Sequence, residues 1–327
     1  MMKSIIRILA MAAVFQLGMV AVAYTGGNRL QTSQAGARLL SFTPAEIDSI
    51  RIDGPDKQVV TLHQDGGWKT AAAFPADGKK IEQILQRLSD LKHGLAVATS
   101  ASSLSRFKLA KDHFERHLVL SKAGKMVAEL YLGKGAGAGQ SYASNGQHQA
   151  VYSISLGSYE LPLDESQWQD KGLLQVAADQ VNDLELDGIT LSSSANGDKK
   201  PVWRASTTPA GKQLDQHAVQ QALHLLATLR FDKVLGKQPP ADFDLAHPIL
   251  TASVRTSAIK RQYRFAKAKQ GDRYLLKVSD RDEYFAVSSF LLKEWQKQMN
   301  KNVWFVDVPD TAATVAKPES KELSSKP

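Results

Sequence analysis

His113-Phe114-Glu115-Arg116-His117 is the segment whose residue types come closest to a metal-binding or catalytic motif. Two histidines four apart share one face of a helix, where they can hold a metal with a glutamate beside them as base. In the zinc-protease signature the glutamate directly follows the first histidine; here Phe114 takes that place. The segment also runs into His117-Leu118-Val119-Leu120, a strand-like stretch. In a strand, residues four apart are separated by about 13 Å, at roughly 3.3 Å per residue. No metal site is expected from this pair.

A second suggestive segment carries Gly133, Gly135, Gly137 and Gly139, with Lys134 inside it. A phosphate-cradling loop needs its lysine and serine or threonine after the last glycine, opening a helix whose amides face the phosphates. Lys134 comes too early, and the glycines lead toward Ser141-Tyr142, so a hairpin connection is expected. A third cluster is electrostatic: Arg255, Lys260, Arg261, Arg264, Lys267, Lys269, Arg273 and Lys277 have only Asp272 as an acid among them. Gathered on one face by adjacent strands, they would suit anionic headgroups, glycans or an acidic partner. The competing reading is a solvated face or an edge guarded by charge. Tyr263 and Phe265, which flank Arg264, are expected in the core rather than in base stacking.

Other chemistry has little support. No Gly-x-Ser-x-Gly elbow occurs. The carboxylate pairs Asp164-Glu165 and Asp282-Glu283 sit beside turns and read as solvated. The absence of cysteine excludes disulfides, thiol nucleophiles and cysteine-ligated metals, and it fits an oxidising compartment. No catalytic residue, metal or cofactor is assigned, and an enzyme is not expected. The net charge of +8 divides unevenly: residues 1–40 carry four basic side chains and no acid, residues 41–174 balance at 15 against 15, and residues 175–308 hold 19 basic against 15 acidic. A nucleic-acid binder would show a stronger basic stripe with interleaved aromatics, so nucleic acid is not an expected partner.

The elements that must position these residues come twice. Ile47-Asp48-Ser49-Ile50-Arg51-Ile52-Asp53-Gly54 returns as Val181-Asn182-Asp183-Leu184-Glu185-Leu186-Asp187-Gly188 at an offset of 134 residues. Trp68 recurs as Trp203 at 135, and Arg106-Phe107 as Asp242-Phe243 at 136. A duplication with small loop insertions explains the steady order. In the first copy, strands alternate through Ile50 and Ile52, Asp77 is placed to cap a helix, and Ile81, Ile84, Leu85, Leu88 and Leu91 fall on one helical face. In the second, Asp215 precedes a helix with Val219, Ala222, Leu223, Leu226 and Leu229 inside. Short loops between strands suit antiparallel neighbours, so each copy is expected to be a mainly antiparallel sheet with one principal amphipathic helix, an α+β layer.

Lys3 and Arg7 precede an apolar run from Ile8 to Tyr24, near the length of a bilayer span when extended back to Ile5. Positive flanks hold the N-terminus in the cytoplasm and send the rest across. Ala21-Val22-Ala23 has the form of a signal-peptidase site, so cleavage is the alternative to a retained anchor. The expected organisation is a signal-anchor or signal peptide at 1–24, a linker at 25–40, repeats at 41–174 and 175–308, and a disordered tail at 309–327.

Several landmarks carry a family resemblance: Leu40-Ser41-Phe42, Trp68, Phe74-Pro75-Ala76-Asp77, Arg106-Phe107, Leu130-Tyr131-Leu132-Gly133, Val151-Tyr152 and Asp170-Lys171-Gly172-Leu173-Leu174. On these the chain, over about residues 40–305, resembles the family of domain of unknown function 4340. The second copy departs from the first in having only Lys301-Asn302-Val303-Trp304 opposite Asp170–Leu174, and in lacking a Gly-rich loop. The resemblance implies a bacterial envelope protein with an N-terminal membrane anchor, in some members associated with gliding-motility-type ABC export systems. It lends no catalytic residues. The expectation is thus a non-catalytic extracytoplasmic binding or assembly component, single-pass in the inner membrane with its folded part periplasmic. Its expected partners are envelope proteins, and its oligomeric state is left open. Release into the periplasm after cleavage is the alternative location. The alternative functions are an envelope-polymer hydrolase or metalloenzyme, and a solute-binding protein with its ligand between the lobes.

Overall fold

The computed structural model describes residues 36–194 and 201–308. The apolar segment 1–24, most of the linker and the tail 309–327 lie outside those residues. Among the described residues, no helix is long and apolar enough to cross a membrane. The chain divides into two compact units, the first ending at Gln169 and the second starting at Asp170. Each holds one large antiparallel sheet with helices, an α+β architecture.

In the first unit the strands are β1 (Ser49–Asp53), β2 (Val59–Gln64), β3 (Trp68–Thr70), β4 (Leu109–Ala110), β5 (His113–Phe114), β6 (Arg116–Lys122), β7 (Lys125–Gly137), β8 (Gln140–Asn145) and β9 (Tyr152–Ile154). Seven of them form the sheet β3-β2-β1-β6-β7-β8-β9, and β4 pairs with β5 separately. Alternation puts Ile50, Ile52, Leu118, Leu120, Leu130 and Leu132 on one face, all buried. Helix α1 (Gly78–Ser89) covers that face with Ile81, Ile84, Leu85 and Leu88. Its expected cap is in place: Asp77 Oδ1 accepts from the Lys80 amide at 3.1 Å. A short helix, α2 (Ala101–Arg106), leads to the β4–β5 hairpin. That hairpin packs with Leu109 and Phe114 against Tyr131 in a smaller apolar cluster.

The second unit contains β10 (Asp183–Leu186), β11 (Ile189–Ser194), β12 (Val202–Ala205), β13 (Lys212–Leu214), β14 (Lys233–Gly236), β15 (Leu250–Arg255), β16 (Lys260–Lys267), β17 (Tyr274–Val278), β18 (Tyr284–Val287) and β19 (Phe305–Asp307). Its main sheet runs β12-β11-β10-β15-β16-β17-β18-β14. The first six positions repeat the order β3-β2-β1-β6-β7-β8 of the first unit, as a duplication requires. Even β14, paired at β18, has a counterpart in the bridge between Ala98 and Val151, beside β9. Helix α3 (Gln216–Thr228) buries Val219, Ala222, Leu223 and Leu226 and is capped by Asp215 Oδ1, which accepts from the His217 amide at 2.8 Å.

Two features differ from expectation. The second unit has a further helix, α4 (Ser289–Gln298), where one principal helix was expected. Leu292 and Trp295 are buried within it and Met299 follows on the same face, a short run at helical spacing, while Phe290 is exposed. Its signal is the N-cap: Ser288 Oγ accepts from the Leu291 amide at 3.2 Å. Second, the Gly-rich segment is mostly strand. β7 continues to Gly137, and Ala138-Gly139, both at positive φ, turn the chain directly into β8. Gly133 is required there, because a Cβ would lie 2.0 Å from the Phe107 carbonyl oxygen.

Candidate binding surfaces

The face of the first sheet turned away from α1 carries the row Asp53–His117–Tyr131–Ser144, set by the registers β1–β6, β6–β7 and β7–β8. His117 sits between two carboxylates, its Nε2 2.8 Å from Glu129 Oε1 and its Nδ1 3.4 Å from Asp53 Oδ2. Arg51 holds Asp53 from the other side through two contacts of 2.7 and 3.1 Å. Tyr131 lies parallel to His117, ring centroids 4.2 Å apart, and its hydroxyl donates to Glu129 at 3.0 Å. Burial, the Glu129 hydrogen bond and the charges of Glu129 and Asp53 push the Tyr131 hydroxyl up to about 12, so it stays a donor. His148 packs on Tyr131 at 4.4 Å. Neither ring nitrogen of His148 has a well-formed hydrogen bond. Burial holds its pKa below the usual histidine value; Lys111 and His117 add to this, against opposing Glu129 and a weak backbone contribution from Leu109.

Beside this network opens a cleft of about 710 Å³, lined by Arg51, Asp53, His113, His117 and Tyr131 among others. One wall is the loop 54–58 between β1 and β2, which includes Asp56 and Lys57 at φ 57° and 60°. The left-handed backbone folds this loop over the row instead of continuing the hairpin. The two histidines singled out in the sequence both line this cleft, on different strands. Glu129 hydrogen-bonds one nitrogen of His117 and Asp53 lies near the other, so the two carboxylates stand at different edges of the ring. Among the described residues, no three His, Asp or Glu side chains are grouped to hold a metal. The arrangement orders charge and can receive a polar ligand in the cleft.

In the second unit, register assigns the counterparts. Ile52–Leu118 corresponds to Leu186–Ala252, so His117 corresponds to Thr251, Tyr131 to Arg264 and Ser144 to Lys277. The eight basic residues part company here. Arg261 points to the core face, where Asp280 grips it at 2.8 and 2.9 Å and the Leu174 carbonyl accepts at 3.0 Å. Burial is the largest influence and works against its charge, but Asp280 and Tyr263 together more than offset it and its pKa is raised. Arg255 pairs with Asp183 at 2.6 Å, Lys267 with Asp272 at 3.1 Å and Arg273 with Asp242. Lys269 donates to the Ala241 carbonyl at 3.2 Å. Asp183, Asp242 and Asp280 all lie outside the basic segment in sequence, so their pairing was invisible to a local charge count. Among the described residues, Lys260, Arg264 and Lys277 have no acidic partner at ion-pair distance, and Arg264 stands directly opposite Lys277. Tyr263 and Phe265 are fully buried against Trp295, as core residues. The residues that sequence reasoning missed are Asp53, Glu129, Tyr131 and His148. Glu129 and Tyr131 are neighbours on β7, but Asp53 and His148 come from distant parts of the chain, and the folded sheet is what brings them beside His117 and Tyr131.

The chain matches the family model described as Domain of unknown function (DUF4340) over residues 68–248, more than half its length. It belongs to that family. The matched span starts on the first Trp strand and runs into the second unit, so it takes in the hairpin that carries Tyr131 and stops before β15. No curated protein and no solved structure matches the chain.

Proposed function

We propose that this protein is a non-catalytic binding or assembly component of the bacterial envelope, tethered by its N-terminal apolar segment and serving beside an ABC-type export system. The observation that carries the binding reading is that the two units repeat one strand order while the corresponding outward rows differ in chemistry: Asp53–His117–Tyr131–Ser144 in one, Thr251–Arg264–Lys277–Tyr284 in the other. A duplicated scaffold with two dissimilar surfaces suits a protein that meets two different partners. The export association and the envelope location rest on the apolar segment and the resemblance described above.

In-cell cross-linking of the full chain, followed by identification of captured proteins, tests the proposal. The expected result is an integral-membrane permease or its ATPase. Capture of neither, under conditions that capture a control envelope complex, would sink the export association.

A further inference from the structure

On the second sheet, Thr251, Arg264, Lys277 and Tyr284 form one cross-strand row over β15, β16, β17 and β18. They lie on the face opposite Tyr263, Phe265, Leu276 and Phe285, which are buried in the core. Directly opposed residues of an antiparallel pair bring their Cβ atoms to about 5 Å, and like charges at that spacing disfavour the sheet. Arg264 and Lys277 are such a pair. The acids near Lys277 are engaged with other cations: Asp280 with Arg261, Asp282 with Lys237, and Glu283 with Arg281. Lys277 itself is aligned by donating to the Arg281 carbonyl and lies 5.0 Å from the Tyr284 ring. Arg264 makes no hydrogen bond or ion pair among the described residues. The first unit has Tyr131 and Ser144 at the corresponding places, so the fold itself does not require two cations there.

We propose that the Thr251–Arg264–Lys277–Tyr284 row binds an oxyanion of the phosphate type. The anion sits between Arg264 and Lys277 and reverses their repulsion, with the Thr251 and Tyr284 hydroxyls as flanking donors. The flat guanidinium fork suits two phosphate oxygens at once, and the ammonium supplies a point charge. Inorganic phosphate and the phosphodiester of a lipid headgroup present the same oxygens. The inference deepens the binding-component reading by giving one unit its ligand chemistry, and it stands on sheet geometry independent of the export association.

The test is thermal unfolding of the full chain in nonionic detergent, with sodium phosphate or sodium chloride at matched ionic strength. At about ten times its dissociation constant, phosphate is expected to raise the midpoint by about 3 °C over chloride. Arg264→Gln and Lys277→Gln should each remove that shift, Arg264→Lys should keep part of it, and Lys260→Gln should keep all of it. Glycerol phosphate in place of inorganic phosphate separates the sources: an equal or larger shift assigns the row to headgroups, and a shift with inorganic phosphate alone assigns it to the free ion. Equal shifts in phosphate and chloride, or a phosphate shift that survives in both glutamine variants, would overturn the proposal. Partner capture that persists in Arg264→Gln while the phosphate shift is lost separates this site from the export association.

Discussion

The hairpins that open the two units differ by three residues, and much of the local chemistry follows. In the second unit Leu186 faces Ile189, so the turn is Asp187-Gly188 alone, both at positive φ. That is the tight connection an Asp-Gly pair favours. In the first unit Asp53 faces Val59 and five residues, 54–58, make the connection. Asp53 therefore stays in the strand with its carboxylate beside His117, whereas its counterpart Asp187 is spent on turning the chain. The longer loop also walls the cleft. Near-identical sequence at two strand ends thus leads to an enclosed acid–histidine network in one unit and an open cationic row in the other. Strand identity fixes where a side chain can go; loop length decides whether it is used there.

The largest test of this correspondence lies at Gly133, whose counterpart by register is Ala266. Gly133→Ala is expected to destabilise the first unit by about 3 kcal/mol, since the methyl group would collide with backbone. Ala266→Gly should remove only about 1 kcal/mol from the second. Denaturant unfolding of the two variants measures the contrast, and equal effects would break the assigned equivalence. Next comes Arg261, which stands where the first unit has Ala128. Arg261→Leu leaves Asp280 without its cation and should lose about 2 kcal/mol, less than for a fully enclosed pair because Asp280 is partly exposed. Adding Asp280→Leu should restore most of that loss, and failure to restore it would mean that Arg261 acts chiefly through the Leu174 carbonyl.

The histidine part of the pH response is expected in the first unit, at His148. The native pKa of His148 lies below the ordinary 6.5, so the unfolded chain takes up its proton first as the solution is acidified. The stability contributed by neutral His148 is therefore complete above pH 6.5 and is lost as pH falls through its native pKa. His148→Phe should flatten this part of the first unit's stability profile and leave the second unit unchanged; an unaltered profile would point to other groups. The smallest effect is expected from Lys277→Ser, which installs the first unit's residue. Without phosphate it should stabilise the protein by about 0.5 kcal/mol through relief of the Arg264 repulsion. Destabilisation by that much would show that the lysine's contact with Tyr284 outweighs its charge.

Much of the architecture was legible because it is periodic. Ile50 and Ile52 alternate, the apolar positions of α1 and α3 recur at helical spacing, and Asp77 and Asp215 cap where capping chemistry places them. The helix α4 has Leu292, Trp295 and Met299 at helical spacing, but that run is shorter than those of α1 and α3 and did not stand out beside them. The sites were far less readable. The His113/His117 pair is set aside as a metal site, and nothing in its spacing reveals the partners His117 has, Asp53 and Glu129, which come from other strands. The basic cluster is visible in the sequence as a local excess of charge, but its division between the core and outer faces is not. Its neutralisation by Asp183, Asp242 and Asp280 depends on pairings that sequence proximity does not encode.

The five-residue connection at 54–58 also has a practical side. Its counterpart manages with two residues on the same pair of strands, so this tip is a length-tolerant position where the chain can be extended without disturbing the ladder between Ile52 and Val60. A short fluorophore-bearing insert between Asp56 and Lys57 would report directly on occupancy of the cleft. The reverse graft, residues 53–59 moved in place of Asp187-Gly188, would keep the register of both strands and ask whether the wall of the cleft can be transplanted onto the second sheet.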